Sequence, residues 1–269
     1  MLVNGAAIGQ IGISDRGLLY GDGVFRTFQI RQFRPVLWAK QYAKLKHDCA
    51  ALKLTCPDES LLLNEVLSLS RSMTDGVGKI IITRGPAERG YALPVHTNVT
   101  RLVTVSSSQN YSESYYSHGV RVHLCELKLA RQPRLAGIKH LNRLENVLAA
   151  SEWSDPGIAE GLLADELGNV IEGTRSNLFA LINGELLTSP LANSGVAGVQ
   201  RDRVLTWASA QHFPYREADF TLDELQKADE IFLVNSVFGL WPVREFTGYK
   251  RDSFPISHQL QQWLADENH

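Results

Sequence analysis

Cysteine is scarce: Cys49, Cys56 and Cys125 are the only three in 269 residues, and no two form a C-x-x-C pair. An odd, unclustered count argues against a disulfide framework and for reduced thiols in a reducing compartment. No Cys/His cluster has zinc-ligand spacing, so no metal is expected. The chain also lacks an apolar run long enough to span a bilayer. Its first residues, Met1-Leu2-Val3-Asn4-Gly5, lack the basic stretch and apolar core of a signal peptide, so a cytoplasmic protein is expected. An excess of one charge is missing too. With 27 Lys and Arg against 29 Asp and Glu, the net charge is -2, and neither nucleic acid nor a membrane surface is an expected partner. There is no Walker-A loop, no G-x-G-x-x-G after a strand, no G-x-S-x-G and no convincing Ser/His/Asp set, which argues against nucleotide-loop and serine-hydrolase chemistry.

What is present is an ordinary globular composition, 44% hydrophobic and 21% charged, in a chain long enough for two modest domains. A short strand, a turn at Asn4-Gly5 and a second short strand open it. Val24 to Ile30 reads as a strand that Val36 to Trp38 pairs with. Tyr42, Leu45, Cys49 and Leu52 predict a helix from about Trp38 to Leu52, and Asp58 caps another. Lys79 to Thr83 and Arg101 to Ser106 are β-branched strands. The polar stretch from Ser106 to Ser117 is the best linker, placing a domain boundary near residue 110. Beyond it, a strand covers Val120 to Leu127. A helix covers Asn142 to Trp153, with Leu144, Val147 and Leu148 inward. Strands are expected at Gly161 to Asp165, Asn177 to Ile182, Glu185 to Thr188 and Ile231 to Asn235. Helices are expected near Gln200, at Asp223 and from Ile256 to Asp266.

Several residues can carry chemistry. Lys139 follows Leu135-Ala136-Gly137-Ile138, and an apolar setting favours the neutral amine that Schiff-base chemistry requires. The alternative is a lysine whose stem packs while its ammonium reaches water. Glu172, after Val170-Ile171, reads either as a buried partner for a cation or protonated ring nitrogen, or as a turn glutamate. Gly195-Val196-Ala197-Gly198 feeds a helix whose first N–H groups can face a phosphate, or it simply starts the helix. Arg84 and Arg89, flanking a loop with Tyr91, could clamp carboxylates or lie in solvent. The hydroxyl of Ser236 could reach a phosphate or close a turn. His140 reads as an acid or base, or as a packed residue.

In their order these pieces resemble one family. They are Ser14-Asp15-Arg16-Gly17, Tyr20-Gly21-Asp22-Gly23-Val24-Phe25, Lys139, Glu172-Gly173-Thr174-Arg175-Ser176-Asn177-Leu178-Phe179, Gly195-Val196-Ala197-Gly198 and Trp241-Pro242-Val243. The series is similar to the fold-type IV pyridoxal-phosphate enzymes, a group of branched-chain aminotransferases, D-amino acid aminotransferases and aminodeoxychorismate lyases. Two stretches look most like the lyases, Ala136 through Glu145 and Arg84 through Tyr91. The resemblance implies an α/β fold of α+β type. Residues 1–110 would form a smaller N-terminal α/β sandwich. Residues 111–269 would form a larger, mixed, β-barrel-like domain with helices that binds pyridoxal 5'-phosphate. It further implies that Lys139 bonds the cofactor aldehyde and Glu172 keeps the pyridine nitrogen protonated. Backbone N–H groups of Val199 and Gln200, with Ser236, would bind the phosphate. Where the family usually has a phosphate-binding arginine, this chain has Lys44, a point charge without the bidentate fork. The implied reaction is a β-elimination from 4-amino-4-deoxychorismate giving 4-aminobenzoate, used for folate, and pyruvate. Thr27 would assist, Arg84, Arg89 and Tyr91 would bind substrate, and the enzyme would be a homodimer. An aminotransferase on the same scaffold, or a non-catalytic binding module, are the competing readings.

Overall fold

The computed structural model describes residues 1–7, 9–95 and 98–266, and the chain divides into two compact units. Unit 1 comprises Met1–Asn110 together with Ile138–Asn142, and unit 2 comprises Tyr111–Gly137 and Arg143–His269. The chain thus joins unit 1 for a second time over five residues, among them Lys139.

Unit 1 contains β1 (Leu2–Val3), α1 (Arg16–Tyr20), β2 (Gly23–Arg31), β3 (Arg34–Pro35), α2 (Trp38–Ala51), α3 (Glu59–Ser70), β4 (Asp75–Thr83) and β5 (Thr100–Ser107). The strands form an antiparallel sheet in the order β1-β5-β4-β2-β3. Alternation along β2 and β4 places Val24, Phe28, Ile30, Ile80 and Ile82 on one face. There they share a buried core with Leu45 and Cys49 of α2 and Leu62 and Val66 of α3. On this edge β2 pairs with Arg34–Pro35, Val36 N–H still donates to the Gln29 carbonyl at 2.9 Å, and Trp38 already begins α2. Gln32 and Phe33 form a two-residue turn with φ of 49° and 65°, and Leu37 turns the chain into α2 with φ of 56°. Asp58 occupies the N-cap position of α3 but its side chain makes no capping hydrogen bond.

Unit 2 contains α4 (Ser114–Ser117), β6 (Val120–Leu129), α5 (Leu144–Ala150), β7 (Ile158–Asp165), β8 (Val170–Gly173), β9 (Asn177–Ile182), β10 (Glu185–Thr188), α6 (Val199–Ala210), β11 (Tyr215–Glu217), α7 (Leu222–Leu225), β12 (Glu230–Asn235), β13 (Gly239–Phe246), β14 (Tyr249–Lys250) and α8 (Pro255–Ala265). The order β9-β12-β13-β6-β7-β8, with β8 pairing back to β9, closes a six-stranded barrel of mixed direction. Its core holds Val120, Leu162, Leu178, Leu233, Trp241 and Val243. β13 has no counterpart in the sequence reading, because Trp241-Pro242-Val243 carries a proline that argues against a central strand. Pro242 is tolerated because the pairing of β13 with β6 begins only at Val243.

The α5 region corrects the sequence expectation. The helix is short, and Leu144, Val147 and Leu148 point outward, 76%, 61% and 57% exposed, while Ala149 is buried. Polar demand turns the helix this way. The register of β6 and β7 shifts between Leu124 and Lys128. Around that bulge, Glu152 accepts N–H bonds from Glu126 at 2.6 Å and Leu127 at 2.9 Å, and Glu145 accepts from Ala130 at 2.8 Å. The bulge leaves these amides without a strand partner, and Glu145 and Glu152 must turn toward β6 to supply one.

Candidate active site

In unit 1, residues 138–142 run beside the first residues of β2. Phe25 N–H donates to the Lys139 carbonyl at 2.9 Å, Leu141 N–H donates to Gly23 at 3.0 Å, and His140 bridges Val24. Ile138 is buried and Lys139 half-buried. Lys139 Nζ stands over the Phe25 ring, 4.7 Å from its centroid, and Lys79 Nζ approaches the same ring at 5.2 Å. Thr27 lies two residues along β2 from Phe25, on the same strand face, paired with Lys79. On α2, Lys44 is mostly buried and pairs with Asp48 one turn later. Lys139 Nζ and Thr27 therefore share the Phe25 face of β2, whereas Lys44 lies on α2, which packs against the opposite face.

The loop candidates separate. The Arg84 guanidinium is buried and grips Asp22 bidentately, at 2.7 and 2.9 Å, and donates to the Lys53 and Leu52 carbonyls, both at 2.8 Å. This is a structural use of the guanidinium rather than the substrate clamp read from the sequence. Arg16, buried as well, shares Asp22 at 2.8 Å and donates to the carbonyls of Gly90 at 2.8 Å and Tyr91 at 3.3 Å. The Asp15-Arg16-Gly17 and Tyr20-Gly21-Asp22 motifs thus hold the loop, and sequence reading missed Arg16 and Asp22 as its anchors. Burial pushes the Asp22 carboxyl up, but hydrogen bonds and charge from Arg84 and Arg16 outweigh it and hold its pKa below the usual 3.8. Arg89 and Tyr91 are exposed, with Tyr91 leaning on Tyr20 at 5.3 Å between ring centroids.

In unit 2, Glu172 lies on β8, only 3% exposed. Its Oε2 accepts from Val196 N–H at 2.8 Å and from Asn177 Nδ2 at 3.4 Å. Asn177 also donates to the Val196 carbonyl at 2.7 Å and accepts from Gly198 N–H at 3.2 Å. Glu172 and Asn177 are paired across the β8–β9 turn, so one turn delivers both side chains to the 195–198 loop. Asn177 was part of the sequence motif, but no role was read for it. Gly195 has φ of +83°, a conformation costly for other residues. At Gly198 a Cβ would sit 2.4 Å from Asn177 Oδ1. Gly198 starts α6 without a side-chain cap, with Val199 and Gln200 as its first buried residues. Gly137 pairs with Val196, bonding to the same loop on its other side. Ser236 follows β12, whose Val234 pairs with Asn177, so the hydroxyl belongs to the barrel end where β9 begins. The adjacent turn is closed by Asn235, which accepts from Val237 and Phe238 N–H, both at 2.8 Å.

This donor set fits a pyridine phosphate. It offers a buried carboxylate for a ring N–H⁺, and a glycine-lined helix N-terminus with the partial positive charge of a 12-residue helix for the phosphate. Gly198 keeps open the space beside Asn177 that a side chain would fill.

The chain matches the amino-transferase class IV family over residues 23–246 and belongs to it. It is 34% identical over 268 residues to the aminodeoxychorismate lyase of Vibrio harveyi, covering 99% of this chain and 98% of that protein. The crystal structure of 4-amino-4-deoxychorismate lyase from Pseudomonas aeruginosa superimposes with a TM-score of 0.93 at 41% identity, covering 98% of this chain and 97% of that one. D-alanine aminotransferase of Staphylococcus aureus is 27% identical, covering 94% of this chain and 90% of that protein.

Proposed function

We propose that this chain is a pyridoxal 5'-phosphate enzyme that converts 4-amino-4-deoxychorismate to 4-aminobenzoate and pyruvate, a β-elimination supplying folate synthesis. The observation that carries the reading is near-full-length similarity to lyases of that substrate, at 34% and 41% identity, above the 27% seen with the D-alanine aminotransferase.

On this reading Lys139 would bond the cofactor's aldehyde carbon, Glu172 would pair with its ring nitrogen, and Val199, Gln200, Ser236 and Lys44 would hold its phosphate. When bound, the cofactor supplies an electron sink for the carbanion formed at the substrate's amine-bearing carbon. Lys139 Nζ would be the base that takes the proton from that carbon and the acid that returns it to the departing enolpyruvate. Glu172 would face the protonated ring nitrogen, its Oε2 held in place by Val196 N–H and Asn177 Nδ2. Thr27 assists at the substrate, and Arg89 with Tyr91 binds its carboxylates from the exposed loop. A homodimer completes the reading. Its support is the outward Leu144, Val147 and Leu148 stripe at helical spacing, an apolar surface that association would cover. No helix among the described residues is long and apolar enough to cross a membrane, which accords with a small-molecule substrate taken from solution.

The test is incubation of the pure protein with 4-amino-4-deoxychorismate. Release of pyruvate and 4-aminobenzoate without an added keto acid is the expected result, and Lys139→Ala should lose both turnover and the covalent cofactor link. Turnover that requires a keto acid would mark an aminotransferase instead.

A further inference from the structure

Asp48 has no exposed surface. A carboxylate in that position is costly unless charge and hydrogen bonds surround it. Its Oδ1 takes the Lys44 ammonium and lies 3.3 Å from His47 Nδ1, whose ring is exposed. Its Oδ2 lies 3.5 Å from Arg26 Nη1 on β2 and accepts the backbone N–H of Lys139 at 3.3 Å. Arg26 is in turn held by Gln41, Nε to Oε1, at 3.3 Å. The carbonyl of Lys139 meanwhile accepts from Phe25 N–H at 2.9 Å. Both main-chain polar groups of Lys139 therefore have fixed partners inside unit 1, one of them this carboxylate. Helix, strand and lysine segment converge on a single side chain.

We propose that Asp48 is a positioning residue for the two lysines of the site. It fixes the Lys139 main chain, and with it the origin of the side chain, and it holds the Lys44 ammonium on the same carboxylate. The inference rests on the roles given above to Lys139 and Lys44. Position and charge act together, since the carboxylate must sit where it accepts the Lys139 N–H and its anion must hold the Lys44 ammonium. If Asp48 acted only through its charge, it would weaken phosphate binding by neutralising Lys44, and removing it would tighten cofactor binding.

The experiment uses the full chain with pyridoxal phosphate and the variant Asp48→Asn, which keeps shape and loses charge. Cofactor affinity is read by absorbance titration, kcat and KM with 4-amino-4-deoxychorismate, and the pH at which the bound cofactor's spectrum changes. The expected result is about tenfold weaker cofactor binding and at least about a tenfold loss of kcat with KM within about twofold. The spectral transition should move to lower pH, since an anion bonded to the Lys139 main chain favours the protonated form of the lysine–cofactor linkage and its loss disfavours it. Unchanged or tighter cofactor binding, with kcat and the transition pH unmoved, would overturn the proposal, even if the melting temperature fell. Should Asp48→Asn fail to fold, Asp48→Glu retains the charge and displaces the carboxylate by one methylene. Positioning then requires a loss of kcat of at least about threefold, and wild-type turnover in that variant overturns it. Lys139→Ala separates the two readings. If it still forms a borohydride-fixable cofactor adduct, the role of Lys139 fails. If it does not, while Asp48→Asn behaves as wild type, only the role of Asp48 fails.

Discussion

Oε2 of Glu172 accepts the backbone N–H of Val196 at 2.8 Å, joining the acidic residue of β8 to the glycine loop that starts α6. One hydrogen bond thus couples the group that would face a cofactor ring to the backbone that would hold its phosphate. Glu172→Gln can keep that bond but not the charge. Its expected effect is a fall in kcat of about 10²-fold or more, with the melting temperature nearly unchanged. Glu172→Ala leaves the Val196 N–H without this acceptor, and a further loss of about 1–3 kcal/mol in folding stability should appear in denaturant melts.

Gly198→Ala places a Cβ 2.4 Å from Asn177 Oδ1. Asn177 must then move, and its bonds to the Val196 carbonyl and to Glu172 move with it. Cofactor affinity should drop by about tenfold or more, equivalent to at least about 1.4 kcal/mol of binding free energy. Equilibrium dialysis against pyridoxal phosphate measures this directly.

Asp22 stabilises unit 1 through Arg84 and Arg16, and its pKa is held below 3.8 in the fold. The ion pairs therefore contribute fully above that pH, and the contribution disappears as pH falls through the lowered folded value. Asp22→Asn should cost about 2–4 kcal/mol at neutral pH, because it leaves two buried guanidiniums without their counter-ion. Urea melts at a series of pH values should show the gap between wild type and variant closing below about pH 4.

Arg84 and Arg89 should behave differently although they share one loop. Arg84→Ala is expected to lower stability by about 2–5 kcal/mol, since it removes the bidentate partner of Asp22, leaving Arg16 on that carboxylate, and strands two carbonyls. Arg89→Ala should leave the melting temperature in place and raise KM several-fold. Steady-state kinetics beside thermal melts separate the two.

If α5 lies in a dimer interface, Leu148→Glu should shift the protein to monomer in sedimentation velocity. As Leu148 is 57% exposed in the single chain, monomer stability should change by less than about 0.5 kcal/mol. A monomeric wild type would remove the homodimer from the reading.

The candidate site was legible only as an ordered set: Lys139, Glu172 and the 195–198 glycines each had a bland local reading, and their order and spacing carried the resemblance. The strands at Asn177–Ile182 and Glu185–Thr188 fall where alternation and turn residues put them. Other features were not legible. The Leu144 stripe reads as a buried face because periodicity reports that a helix has an apolar side, not which side its neighbours need. The bulge in β6, with amides for Glu145 and Glu152 to satisfy, settled that. Nothing local distinguishes Asp48 from its charged neighbours on α2, and only Asp48 is fully buried among Lys44, Arg26 and the Lys139 backbone.

Taken alone, the amino-acid order determined which chemical groups this protein owns and the approximate location of most of its helices and strands, because propensity, alternation and turn preference act over a few neighbouring residues. Tertiary structure decided which charges neutralise each other. Asp22 meets Arg84 from 62 positions away and Asp48 meets the Lys139 backbone from 91. No local rule reaches so far, since such a pairing exists only after the core has formed and excluded the water that would otherwise solvate each charge separately.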